Sequence, residues 1–161
     1  MTFGHAPAHA VLTAYGLMEF SDMARVHTVD PGLLIRTRRW LLSQQRPDGS
    51  WEASAWGMLP DDRVQTLQAT AYITWALAES SRKSSLDRRL IRALDFVARE
   101  SKRHSDPYTM ALVASALVAA RRPQARPLLR RLVGAAVVKG DQVFWRSRSQ
   151  GVMFSSGKVL D

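Results

Sequence analysis

The sequence predicts an all-α fold: three helical hairpins with an inner and an outer layer of helices, followed by a short β-hairpin-like segment. Three observations predict it. Apolar residues recur at helical spacing over most of the chain, and no strand-like alternation precedes Gln142. The helices alternate in kind: the first, third and fifth are apolar almost all round, while the second, fourth and sixth carry one apolar stripe and a basic face. A short segment also repeats: Thr13-Ala14-Tyr15 returns as Thr70-Ala71-Tyr72 and, loosely, as Tyr108-Thr109-Met110-Ala111. Helices buried on all sides belong inside, and one-sided helices sheathe them, so the alternation describes a layered ring or a solenoid.

The first helix is expected from about Pro7 to Arg25. Val11, Leu12, Tyr15, Leu17, Met18 and Phe20 nearly surround it, and Thr13, Ala14 and Gly16 are small enough to let neighbours approach. The second starts on Asp30, a good N-cap, with Pro31 in the first helical position. Its stripe is Leu33, Leu34, Thr37, Trp40, Leu41 and Gln44, with Arg36, Arg38 and Arg39 mainly off it. Pro47 and Asp48-Gly49 stop it in a turn. Residues 52 to 62 read as a long loop containing Trp56, Met58 and Pro60.

The third helix is expected over Val64 to Ser81, followed by a turn rich in serine. The fourth, about Leu86 to Lys102, has the stripe Leu86, Leu90, Leu94 and Val97 and is decorated by Arg88, Arg89, Arg92 and Arg99. The fifth starts near Asp106 and Pro107 with little charge before Arg121. The sixth starts near Pro123, accommodates Pro127 in its first turn and places Leu128, Leu129, Leu132, Val133 and Ala136 on one side. From Lys139 to Asp161 the pattern breaks into an irregular tail, where Gln142 to Arg146 and Val152 to Ser155 read as two short strands. The whole chain, 1–161, reads as one partial domain.

Composition bounds the chemistry. With 161 residues and 46% hydrophobic content the chain can build one real core. No apolar run approaches the roughly 20 residues of a membrane-spanning helix. Met1 to Gly16 has no basic n-region, so no signal peptide is visible. Cysteine is absent, which removes thiolate metal sites, disulfides and cysteine nucleophiles from this chain.

Each sharper chemical reading has a plainer rival. His5 and His9 have the i, i+4 spacing of a helical metal pair, but no third ligand accompanies them. Asp61-Asp62 could hold magnesium for a diphosphate, yet a lone acidic pair before a helix also serves as cap and first-turn acid. His104, Ser105 and Asp106 adjoin in sequence, whereas a hydrolytic triad converges in space, and Asp106-Pro107 reads as a helix start. Tyr15, Tyr72, Trp75 and Tyr108 lie on inner helices, where they line a cavity or form core. The net charge of +9 raises a nucleic-acid partner. The arginines, however, spread over three helices without interleaved aromatics, and Asp87, Asp95 and Glu100 lie among them, the pattern of a solvated face. No specific nucleic-acid partner is expected. No catalytic, metal-binding or cofactor-binding residue is assigned, and no cofactor is expected.

Gln45-x-x-x-Gly49-x-Trp51 favours a ring. The spacing resembles the QW repeat of terpenoid-cyclase-type toroids, in which the glutamine ends an outer helix and the tryptophan packs over it, tying that end to the next repeat.

With that, a wider resemblance emerges. Leu12-Thr13-Ala14-Tyr15, Val29-Asp30-Pro31, Trp40-Leu41-Leu42-Ser43-Gln44-Gln45, Asp48-Gly49, Ala69-Thr70-Ala71-Tyr72-Ile73, Tyr108-Thr109-Met110-Ala111-Leu112 and Phe144-Trp145 stand in an order similar to the thioester domain of alpha-2-macroglobulins, with bacterial members looking closest. The resemblance implies a partial (α/α)6 toroid. It also implies a place in a broad-range protease inhibitor that crosslinks its target through a Cys–Gln thioester, an activated acyl group with a good leaving group.

This sequence departs from that pattern: it has no cysteine, and residues 52 to 66 lack the histidine that directs complement-type relatives to hydroxyls. With a thioester upstream, amine transfer is the implied preference. The expected role is therefore a non-catalytic structural and interaction segment. Its partners are the remainder of a macroglobulin-like parent and, through it, target proteases, and the parent works in periplasm or outside the cell. A homo-oligomer through exposed edges is the further expectation for an open half-toroid. The alternative reading is a fragment of a terpenoid cyclase or prenyltransferase-like toroid enzyme.

Overall fold

In the computed structural model, residues 8–53, 63–81 and 87–147 are described. One helix organises the rest. It spans Arg63–Glu79 and buries eleven of its 17 residues, among them Leu67, Ile73 and Leu77. Ala69, Ala71 and Ala76 are buried beside them, so its backbone approaches its neighbours closely on more than one side. Each fully buried leucine or isoleucine contributes about 1.5–3 kcal/mol over its exposed state.

The described elements run α1 (Ala10–Met23), α2 (Pro31–Ser43), α3 (Arg63–Glu79), α4 (Arg88–Glu100), a single 3-10 turn (Ser101–Arg103), α5 (Pro107–Ala119), α6 (Ala125–Gly134), β1 (Val137–Lys139) and β2 (Gln142–Phe144). α3 packs most extensively against α5 and next against α1, so α1, α3 and α5 form one row with α3 in the middle. The even-numbered helices cover it: α2 lies on α1, α4 on α3 and α5, and α6 on α5. The two layers are those that the alternation of apolar and one-sided helices predicts.

Local chemistry sets the helix starts. Asp30 caps α2 through Gly32 N–H at 2.8 Å, with Pro31 behind it. Asp87 caps α4 through Arg89 N–H at 2.7 Å, and Asp106 caps α5 through Thr109 N–H at 3.0 Å. Each carboxylate satisfies an N–H that has no partner inside its own helix. α5 ends in a Schellman motif: Arg122 N–H donates to Leu117 O (2.8 Å) and Arg121 N–H to Val118 O (2.9 Å), which puts Arg121 at a φ of 54°.

Buried polar groups between the inner helices are paired. Gln68 Nε2 donates to Thr109 Oγ1 at 2.9 Å, linking α3 to α5, and Thr74 Oγ1 donates to Thr70 O at 2.6 Å. Left unpaired, such groups would each cost about 1–3 kcal/mol.

Two expectations need correction. The first helix is not buried on most sides: Val11, Ala14 and Leu17 are buried, but Leu12, Tyr15, Phe20 and Met23 are 41–52% exposed. Its position explains this, since α1 ends the inner row and has one inner neighbour where α3 has two. The β-hairpin also differs. Gln142–Phe144 does form a strand, but its antiparallel partner is the preceding Val137–Lys139, in the register Val137↔Phe144, Val138↔Val143 and Lys139↔Gln142. Gly140 at φ 63° opens a two-residue turn, and Gly140-Asp141 brings adjacent segments together at less entropic cost than a longer loop would. Val152 to Ser155 lies outside the described residues.

Candidate functional site

The most elaborately built region is the junction after α2. Arg46 N–H donates to Ser50 O (2.9 Å) and Gly49 N–H to Arg46 O (3.0 Å), so the chain reverses within residues 46–50. Asp48 Oδ1 accepts from both the Ser50 N–H (2.9 Å) and the Ser50 hydroxyl (2.7 Å). Burial alone would raise the Asp48 pKa, but the two hydrogen bonds from Ser50 and the nearby Arg46 charge outweigh it and hold the carboxyl below its usual range.

Three outer and inner elements meet at this turn. Gln45 Nε2 donates to Gly49 O at 3.1 Å and to Arg89 O, in the first turn of α4, at 2.9 Å. Arg89 returns the connection, its guanidinium donating to Leu42 O at 2.9 Å. Trp51, 1% exposed, donates from its indole Nε1 to Leu41 O at 2.8 Å, and its N–H donates to Thr70 Oγ1 of α3 at 3.0 Å. Gly49 has a φ of 96°, and a Cβ there would lie 2.7 Å from Arg92 O. Only glycine fits both the left-handed backbone and the approach to α4. The Gln45-x-x-x-Gly49-x-Trp51 spacing therefore marks a junction that fixes the end of α2 against α3 and α4. Ser50 is buried and its hydroxyl donates to Asp48, which helps to fix the turn.

A second feature lies on the inner row. Tyr72 and Trp75 of α3 make an edge-to-face contact with ring centroids 6.2 Å apart at 89°. The Tyr72 phenol is pushed up to about 12, first by burial and then by Tyr15, Glu19 and Tyr108. These residues come from α1, α3 and α5, so the repeated Thr-Ala-Tyr segments do bring tyrosines from three inner helices near one another. Tyr15 remains 47% exposed, and Tyr72, Trp75 and Tyr108 are half-buried.

The other candidates disperse. His9 is the N-cap of α1, its Nδ1 accepting from Leu12 N–H at 3.2 Å, while His5 lies outside the described residues. Among the described residues no group of three or more His, Cys, Asp or Glu side chains is placed to hold a metal ion. Asp61 and Asp62 also lie outside them. Asp106 spends its carboxylate on Thr109 and on the Ser147 hydroxyl (2.7 Å), and His104 contributes its main-chain oxygen to Arg131 (2.7 Å). His104, Ser105 and Asp106 thus form a helix start and a tie to α6. Among the described residues no helix is long and apolar enough to cross a membrane.

Sequence reasoning missed two ties. Arg38 reaches from α2 to Leu77 O and to Ser80 Oγ, each at 2.6 Å. Trp145 donates from Nε1 to Leu132 O at 2.7 Å, holding the hairpin against α6. Both join residues that only the packing of helices brings near, and neither spacing signals it.

Comparison with known proteins agrees with this architecture. A family model described as the A-macroglobulin TED domain matches residues 1–156. Ovostatin of Gallus gallus is 27% identical over 147 residues, covering 86% of this chain and 10% of ovostatin. The chain thus spans about a tenth of the length of that relative. With the two-layer helical row, the Gln45–Trp51 junction and a family match over nearly all its residues, the chain belongs to the A-macroglobulin TED, or thioester, domain family.

Proposed function

We propose that this chain is a non-catalytic framework and interaction segment of the thioester domain of a macroglobulin-like protease inhibitor. The observation that carries the reading is the family match over residues 1–156 in a chain with no cysteine. A thioester needs a cysteine thiol as its acyl carrier and leaving group. Any acyl transfer by the parent protein would then use a cysteine contributed by another part of it. This segment supplies the packed inner helices and the Gln45–Trp51 junction against which such a site is held. Partners are the remainder of the parent chain and, through it, proteases, and the parent acts in the periplasm or outside the cell.

The test has two arms. The parent protein is mixed with an endoprotease, and cleavage of a protein substrate is compared with cleavage of a small chromogenic peptide. Physical trapping predicts loss of the first and retention of the second. Loss of both, or of neither, contradicts the inhibitor reading. The 161-residue chain is separately incubated with methylamine and protease, and its intact mass is measured. The account predicts no added mass, and a covalent adduct contradicts the non-catalytic role.

A further inference from the structure

The outer layer carries a groove of about 440 Å³ between α2 and the start of α4, lined by Ile35, Arg38, Arg39, Leu42, Asp87 and Arg89. Three arginines face it against a single carboxylate, Asp87. Several other arginines are paired with carboxylates: Arg36 with Asp30, Arg46 with Glu52, Arg99 and Arg103 with Glu100, Arg122 with Asp95. Among the described residues, none of the three groove arginines is in an ion pair. Arg38 and Arg89 each use one nitrogen on neutral oxygens, and Arg39 uses none. Burial lowers the Arg38 guanidinium pKa, and the Asp87 charge opposes that shift only in part. Asp87 has one oxygen committed to its cap on Arg89 N–H.

We propose that this groove binds an acidic peptide segment, with a carboxylate seated among Arg38, Arg39 and Arg89 and a neighbouring apolar side chain against Ile35 and Leu42. Guanidinium groups bind carboxylates in two-pronged geometry, and a partly desolvated one gains most from a partner. Ile35, 55% exposed, and Leu42 give the groove an apolar wall that a bare oxyanion leaves unused. No aromatic side chain lines it, so bases have nothing to stack on. Asp87, which also lines the groove, repels a densely charged polyanion, but three guanidiniums against one carboxylate leave an excess of positive charge for a single carboxylate.

The probe is fluorescein-labelled Leu-Glu-Leu-Glu-Leu, with Leu-Gln-Leu-Gln-Leu as its neutral counterpart, titrated with the 161-residue chain at low salt and read by anisotropy. The acidic peptide binds, and the neutral one binds about tenfold more weakly or worse. Arg39→Glu, which breaks no hydrogen bond of the fold, weakens the acidic peptide by about tenfold, while Arg126→Glu on α6 makes the same change in net charge and leaves binding unaltered. Ile35→Ser weakens it as well. Circular dichroism confirms that each variant is folded, and Arg39→Gln stands in if charge reversal unfolds the chain. Equal binding of both peptides, equal effects of Arg39→Glu and Arg126→Glu, displacement by equimolar inorganic phosphate, or tighter binding of a short DNA duplex would each overturn the proposal.

Discussion

The side-chain amide of Gln45 donates to the main-chain oxygen of Arg89, 44 residues later, while the Arg89 guanidinium donates back to Leu42 O. The end of one outer helix and the start of the next are thereby joined in both directions. Gln45→Ala removes the donor for Arg89 O and for Gly49 O. It is expected to destabilise the chain by about 2 kcal/mol, as two hydrogen bonds at about 1 kcal/mol each. Urea unfolding followed by circular dichroism checks this, with the midpoint falling and the slope unchanged.

Gly49→Ala has a larger expected effect. The new Cβ meets main-chain Arg92 O at 2.7 Å, and the residue already sits at a φ of 96°. Neither the backbone of α4 nor the turn can yield without breaking the Gln45 and Trp51 contacts. A loss of about 3 kcal/mol is expected, from positive-φ strain plus overpacking. Gly140→Ala is the control, because a Cβ there meets nothing within 4 Å and only the φ of 63° opposes it.

Arg121 holds a left-handed conformation in the Schellman motif that ends α5. A side chain costs about 1 kcal/mol there. Arg121→Gly is therefore expected to raise stability by up to about 1 kcal/mol, whereas Arg121→Ala gives no comparable gain. Thermal unfolding of the two variants side by side distinguishes them.

His9 makes the first helix sensitive to pH. Its unprotonated Nδ1 accepts the Leu12 N–H, and burial lowers its folded pKa below the ordinary 6.5. The unfolded chain then binds more protons through the window below 6.5, so stability falls as pH drops from there through the folded pKa and levels off beneath it. His9→Asn keeps a capping oxygen that does not titrate. It is expected to abolish this part of the pH dependence between about pH 7.5 and about pH 5, measured by urea unfolding at each pH.

Much of the architecture was legible because burial leaves a periodic signature. The all-round apolar helices became the inner row, the one-sided helices became the cover, and the Asp30 and Asp106 helix starts and the Asp48-Gly49 turn stand where local rules put them, whereas the Asp87 cap was not read from the sequence. Asp87 is instructive, since its helix begins at Arg88, two residues after the position that the leucine stripe suggests. The Gln45–Trp51 spacing showed a junction, but not that its partners would be Arg89 O and Thr70 Oγ1, because these contacts depend on how helices far apart in sequence pack. The exposure of α1 was hidden for a different reason. Its composition is that of an inner helix, and how many neighbours such a helix has is not written in its own residues. The groove at Arg38, Arg39 and Arg89 joins two outer helices whose arginines, read along the chain, resemble any solvated basic face.

The account rests on α3 being the centre of an inner row sheathed by α2, α4 and α6. Residue-resolved hydrogen exchange tests that most directly. The amides of Leu67 to Ala78 should exchange slowest in the chain and only through global unfolding, with α5 close behind and the more exposed last turn of α1 far faster. Exchange in α3 as fast as in α2 would place that helix at the surface and contradict the two-layer structure.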